Sequence, residues 1–270
     1  MPLVANQLAS HFPGWVSYDS TVVDSPDVEI MCGGINEKPS IGAALWRQGN
    51  ILHFGFDLSP AEMNDAGRAL LVDSIAYIAR FREERALCVT PSAFAGGVRA
   101  RDSVARWFTG PNFSLDLVRG SFSDDALAGV AGDRAAVKAW FDDHRDYLHP
   151  DRDGRLCVDA DAMALCLAFD RFESLEEAAD GVAGAAGGGP DSDAHHARCL
   201  LERYVPEGPA KGARGSDWQE WLAENRPYLF FSEWGGYRWY VDLLARKRGV
   251  PSEKLRGPTR ADLEAEHGSR

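Results

Sequence analysis

Cys32 closes the apolar run Val28 to Cys32 and is followed by Gly33-Gly34. A thiol at a sharp turn out of a strand, beside glycines, is one way a protein builds a nucleophile. Such a thiol needs a base to draw off its proton, and His53 lies in the same stretch. The pattern also asks for a glycine two residues ahead of the nucleophile; Ile30 stands there, and no third catalytic member is visible. Cys32 and His53 are therefore catalytic candidates set against a plainer reading, a cysteine packed in a strand.

His195, His196 and Cys199 fall on an expected helix, with His195 and Cys199 one turn apart. That is half of a zinc site, and zinc takes three or four ligands. No second half stands out, which leaves histidines at a solvated helix start. The run His149-Pro150-Asp151-Arg152-Asp153-Gly154 resembles a calcium loop, but His149 and Ala160 occupy its first and twelfth positions, where ligating oxygens are needed. It is read as a hairpin turn.

Trp234, Tyr237, Trp239 and Tyr240 form an aromatic cluster. Exposed, these rings make a platform for stacking on a sugar or docking a partner; alternation along a strand turns some of them inward. Arg246 to Arg260 holds six basic residues against Glu253 alone, and reads as a solvated helix end and tail rather than an anion dock. Phosphate-cradling glycine loops, a His-Glu-x-x-His pair and the dinucleotide fingerprint are absent from the sequence, so no cofactor and no metal are expected.

The chain of 270 residues carries a formal charge of −12. Nucleic acid and anionic membrane surfaces attract the opposite sign, so neither is an expected partner. No apolar run approaches the ~20 residues that span a bilayer, and Met1 to Trp15 lacks the basic and apolar regions of a secretory leader. An acidic, soluble protein of the cytoplasm is expected, unless the N-terminus is truncated. Cys32, Cys88, Cys157, Cys166 and Cys199 are odd in number with no Cys-x-x-Cys, which fits scattered reduced thiols.

The elements that must position these groups read as follows. Val28 to Cys32, Ile41 to Trp46 and Ile51 to Phe56 are short strands, the last two joined by the turn dipeptide Gly49-Asn50. A helix follows, with Ser59 as its cap, Pro60 in the first position and Glu62 completing a capping box. Its inward stripe is Met63, Gly67, Leu70, Leu71, Ser74, Ile78 and Phe81. Arg101 to Phe108 is a short helix, and Gly181 to Pro190 a connector of glycine and alanine.

The second half matches itself. Trp140, Arg145, Tyr147 and Leu148 recur 81 positions on as Trp221, Arg226, Tyr228 and Leu229; Arg155, Val158, Asp159 and Ala162 recur 83 on as Arg238, Val241, Asp242 and Ala245. Average residue usage predicts roughly one or two such identities, so two copies of one unit are inferred. Each reads as a short helix, a hairpin and a second helix begun by the aspartate. In the second copy Ser216 is the expected cap, with Gln219 completing its box. The paired Trp, Arg, Tyr and Asp either pack the unit or present a ligand-binding face.

Gly49-Asn50-Ile51-Leu52-His53-Phe54-Gly55-Phe56, Asn64, Leu70-Leu71 and Ile75-Ala76-Tyr77-Ile78 resemble the C-terminal strand and helix of ThuA-like domains, of the class I glutamine-amidotransferase-like superfamily. The resemblance implies a helix packed on a sheet. It carries over no catalytic residue, because the family's Gly-x-Cys-x-Gly elbow is not in the sequence. Tyr228-Leu229-Phe230-Phe231-Ser232 and Gly235-Gly236-Tyr237-Arg238 are similar to the tails of large uncharacterised bacterial proteins. The expected architecture is thus α+β: an amidotransferase-like remnant over 1–88, then two related helix–hairpin–helix units in 89–270, the copies being about 133–168 and 214–251. The expected function is a non-catalytic interaction or ligand-binding module with a protein or carbohydrate partner. The alternatives are a carbohydrate-binding module using the aromatic platform, and a cysteine hydrolase or amidotransferase relative.

Overall fold

A computed structural model describes residues 25–34, 42–56, 59–87, 100–109, 114–184, 189, 192–233 and 235–252. They mix helix and strand in an α+β arrangement. The chain divides into two compact units, Met1–Cys88 with Asp242–Arg270 and Val89–Val241.

The first unit is built on three antiparallel strands in the order β1 (Val28–Gly34), β2 (Gly42–Gln48) and β3 (Ile51–Phe54). The register slips between Ile30 and Gly33, a bulge that bends β1 where Cys32 sits. Gly49 opens the β2–β3 turn at φ 53°, as the first central residue of a II′ turn requires. A Cβ there would lie 1.8 Å from the Arg85 carbonyl oxygen, so glycine is demanded twice over.

Helix α1 (Asp65–Ile78) follows. Its cap is Asn64, whose side chain accepts from the Gly67 N–H at 2.9 Å, and not the expected Ser59. Ser59 and Glu62 close a turn of their own: the Ser59 N–H donates to the Glu62 carboxylate at 3.0 Å and the Glu62 N–H to the Ser59 carbonyl at 2.9 Å. The capping-box pair is thus made one turn early, and the helix waits for the next side chain that can accept from its free N–H groups. Of the expected stripe, Met63, Gly67, Ser74 and Phe81 are buried. Among the described residues Ala43 and Trp46 form one buried apolar cluster with Val28 against it, and Leu45, Met63, Phe81 and Leu87 are buried as well. Helix α9 (Leu243–Arg248), capped by Asp242 and ended by Gly249 at φ 67°, completes it.

The second unit opens with α2 (Arg101–Thr109) and α3 (Leu115–Arg119). Then come α4 (Arg134–His144), a 3-10 turn Arg145–Tyr147, and the strand pair β4 (Leu148–Pro150) and β5 (Leu156–Val158). After α5 (Ala160–Ala164) three longer helices pack together: α6 (Phe172–Gly184), α7 (Asp193–Tyr204) and α8 (Gly215–Asn225). A 3-10 turn, Arg226–Tyr228, leads into β6 (Leu229–Ser232) and β7 (Arg238–Val241).

Buried Leu175, Ala178, Ala179 and Val182 on α6 follow the i, i+3, i+4, i+7 rule, as do Ala197, Leu200, Leu201 and Tyr204 on α7. The expected connector therefore starts later than its composition suggests, because Gly181 to Gly184 are helical and Val182 is buried. Helix α8 starts at Gly215 rather than Ser216. A Cβ at Gly215 would come within 2.3 Å of the Ala183 backbone nitrogen, so α8 begins where it touches α6. Asp217, not Gln219, closes its first turn, accepting from the Arg214 N–H at 3.0 Å.

Candidate functional site

Cys32 and His53 do not meet across the sheet. Cys32 pairs with Leu45, which pairs with Phe54; His53 pairs with Trp46. Side chains opposite one another in a ladder share a face and neighbours in sequence do not. Cys32 therefore lies in the Leu45–Phe54 row and His53 in the other. The Cys32 thiol donates to the Gly33 carbonyl at 3.4 Å, and the His53 ring stacks on Trp46 with centroids 5.6 Å apart.

Three of the four platform rings are interior, and Trp234 lies outside the described residues. Tyr237 is 0% exposed, Trp239 6% and Tyr240 7%. Trp239 donates from its indole nitrogen to the Phe169 carbonyl at 2.6 Å, and the Tyr240 hydroxyl to the Gly235 carbonyl at 2.5 Å. Tyr237, at φ 57°, stands beside the Arg101 guanidinium, 4.9 Å from its ring centroid. Alternation was expected to leave some rings outside; all three described rings are buried instead, and Arg238 is the exposed residue of β7. A ring without an open face cannot stack on a sugar.

Arg101 is the centre of one polar cluster. Its guanidinium, 5% exposed, meets Glu233 at 2.6 Å and Asp170 at 3.2 Å and donates to the Arg145 carbonyl at 3.3 Å. Burial opposes its charge, but Glu233 chiefly, then Tyr237 and Asp170, outweigh burial and raise its pKa. Asp170 Oδ1 is buried without a hydrogen bond.

A second cluster gathers on α5 and α7. Arg203 spans Asp159 at 2.5 Å and Asp161 at 2.8 Å; His196 Nδ1 lies 2.8 Å from Asp161, and the Tyr204 hydroxyl donates to Asp159 at 3.1 Å. Burial pushes the Tyr204 hydroxyl far above the usual phenol range, with Asp159 adding to it. Asp161 is held below the ordinary carboxylate value: its own desolvation works against this, and bonds from His196 and Arg203 prevail. His149, ring to ring with Tyr204 at 4.9 Å, keeps a buried Nδ1 without a hydrogen bond; burial lowers its pKa to about 4.

Sequence reasoning singled out His149, Asp159 and His196 but missed Arg203, Asp161, Arg101, Glu233 and Asp170. The i, i+7 spacing of His196 and Arg203 on one helix was a usable signal; Arg101 and Glu233, 132 residues apart, had none. Cys199 Sγ lies 3.5 Å from His195 Nε2, and burial raises its pKa, away from the thiolate a metal needs. Among the described residues no group of three or more His, Cys, Asp or Glu side chains is set to hold a metal ion. The calcium-loop stretch is a hairpin turn: Asp151 accepts from the Asp153 and Arg155 N–H groups at 2.8 and 2.9 Å, and Gly154 sits at φ 78°.

In the first unit charge is buried under the sheet. Arg47, 1% exposed, meets Glu29 at 3.2 Å and Glu84 at 2.8 Å and lies 3.7 Å over the Phe81 ring. Tyr77 and Arg248 reach the same Glu29, at 2.5 and 3.3 Å. Asp27 accepts from Ser25 and Gln48; burial raises its pKa despite those bonds. While charge goes in, apolar groups stay out. Val72 and Ile75 on α1 are 64% and 60% exposed, and Ala69 and Ala76 beside them are exposed too. Ile30, Met31 and Ile51 on the strands are also exposed.

No helix among the described residues is long and apolar enough to cross a membrane. Comparison of the chain with protein-family models, with curated proteins and with solved structures finds no match.

Proposed function

We propose that the chain is a non-catalytic interaction module whose contact surface is the outer face of α1. The observation that carries this reading is the exposure of Val72 and Ile75 on a helix that already buries Gly67 and Ser74 on its other side. An apolar stripe opposite the buried edge has no part in the unit's own packing, and contiguous exposed apolar surface marks contact with another molecule. Among the described residues, five of the seven large exposed apolar residues, Ile30, Met31, Ile51, Val72 and Ile75, belong to the first unit. In the second unit the charged groups of the Arg101 and Arg203 clusters are paired with one another.

The same proposal takes the second half as two related helix–hairpin–helix units. Both α4 and α8 have 11 residues, and each runs into a 3-residue 3-10 turn. His144 Nδ1 lies 2.8 Å from the Trp140 carbonyl, and Asn225 donates to the Trp221 carbonyl at 2.9 Å. Asp159 accepts from the Ala162 N–H at 3.2 Å, and Asp242 from the Ala245 N–H at 2.9 Å. In this reading the repeated Trp, Tyr and Asp serve packing and capping. The resemblance to ThuA-like domains is kept as a proposal about the origin of β2, β3 and α1, without a catalytic residue.

A photo-crosslinking residue placed at position 72 in the full chain, expressed in its own cells, tests the module reading. A discrete covalent adduct is expected from position 72 and none from Asp116, an exposed helix position in the second unit. Equal or absent adducts from both positions would sink the reading.

A further inference from the structure

We infer that the first unit binds a phosphoryl group between Arg80 and Lys247. The site uses other residues than the apolar stripe of α1 and does not depend on it. Arg80 lies in the 3-10 turn Ala79–Phe81 that follows α1, and Lys247 in the last turn of α9. Remote in sequence, the two converge on one ring: the Arg80 guanidinium lies 5.8 Å and the Lys247 ammonium 5.7 Å from the Phe81 centroid. The ring is buried, and the buried Arg47 guanidinium lies 3.7 Å over it. Three cations at one ring reverse the sign of a chain whose net charge is −12.

The carboxylates nearby are already taken. Arg47 holds Glu29 and Glu84, Arg248 shares Glu29 at 3.3 Å, Arg82 pairs with Glu83 at 3.0 Å, and Arg85 faces Asp27 at 3.8 Å. Among the described residues neither Arg80 nor Lys247 makes an ion pair, and both are exposed. The ring's quadrupole attracts their charges but does not cancel them. Two positive charges call for two negative ones. A phosphoryl group carries about −1.5 to −2 at pH 7 on three acceptor oxygens, so one group answers both cations where a carboxylate answers one. The guanidinium offers a planar fork to two of those oxygens, and the ammonium a compact charge to the third. Both cations stand at helix C-terminal ends, whose dipoles oppose an anion. The side chains alone supply the attraction, and the affinity is modest.

Titration of the isotope-labelled full chain with inorganic phosphate, followed by NMR, tests this; acetate at matched ionic strength removes simple screening from the comparison. Saturable shifts at residues 79–82 and 246–249 are expected, with phosphate binding at least about tenfold tighter than acetate. Arg80→Met and Lys247→Met should each weaken phosphate at least about fivefold, and the two together should abolish saturation. Arg82→Met, which removes an exposed cation already paired with Glu83, should change the affinity less than about twofold. Both site positions are exposed, so the fold should survive, and circular dichroism checks it; glutamine serves at either position if methionine does not fold. A phosphoserine tripeptide as second probe separates the sources. Tighter binding than inorganic phosphate assigns the group to a phosphorylated protein; equal or weaker binding assigns it to a small phosphate compound. No saturable shift with either probe, equal affinity for acetate, shifts that survive the Arg80 and Lys247 double change, or an equal loss from Arg82→Met overturns the site.

Discussion

The two units hold themselves together with different materials. The second has an extended apolar core, in which Trp218, Phe122, Phe141, Phe169 and Leu175 are almost without exposure. Among its described residues the first buries Ala43 and Trp46 together, with Leu45, Met63, Phe81 and Leu87 also buried, and sets beside them the buried Arg47, its half-buried partners Glu29 and Glu84, and the buried pair Asp27 and Gln48. Apolar packing is non-directional and tolerates adjustment. A buried ion network holds only while each partner is present, because removing one leaves a desolvated charge without its opposite.

The largest expected effect is on the packed unit. Trp218→Ala removes a fully buried ring and no hydrogen bond, since its indole nitrogen has none. It should cost about 3–5 kcal/mol, read as a shift of the urea midpoint. A loss under about 1 kcal/mol would mean that the second unit does not depend on that core. Arg47→Met comes next, at about 3 kcal/mol, because Glu29 and Glu84 lose their shared cation. Changing Glu84 together with Arg47, to Gln and Met, should recover part of that loss; no recovery would show that packing against Phe81 matters more than charge.

The smallest effect is on pH dependence, and its sign differs between His149 in the second unit and Asp27 in the first. His149 has a folded pKa of about 4, below its ordinary value, so its contribution is complete above about pH 6.5 and is lost as pH falls toward 4. His149→Phe should therefore flatten the drop in urea midpoint between pH 7 and pH 5. Asp27 is the opposite case: its folded pKa is raised, so its favourable contribution exists at low pH and disappears as pH rises through that value. Asp27→Asn should lose relative stability on acidification while gaining at neutral pH. Identical pH profiles for parent and both variants would remove the electrostatic contrast.

Much of the fold was legible because it is local. Gly49-Asn50 announced a hairpin, and the Met63 to Phe81 periodicity announced α1 and its buried edge. The cap of α1 was misjudged because Ser59 with Glu62 and Asn64 both satisfy capping chemistry, and only the path of the chain between β3 and α1 separates them. Tyr237, Trp239 and Tyr240 were legible as a run of aromatics, but not as three buried rings. Arg47 was not legible at all, since an arginine in a short strand looks the same whether it faces water or Glu29 and Glu84.

The sequence by itself marked the three strands of the first unit, the turn at Gly49-Asn50, and the helices α1 and α2. These follow from side-chain size, backbone freedom and capping between residues a few positions apart. Only the tertiary structure decided that Cys32 and His53 fall in different rows, that Arg101 reaches Glu233, and that Val72 and Ile75 remain outside. Those outcomes depend on register and on which distant segment arrives, and a charge or ring 100 residues away leaves no mark on local periodicity.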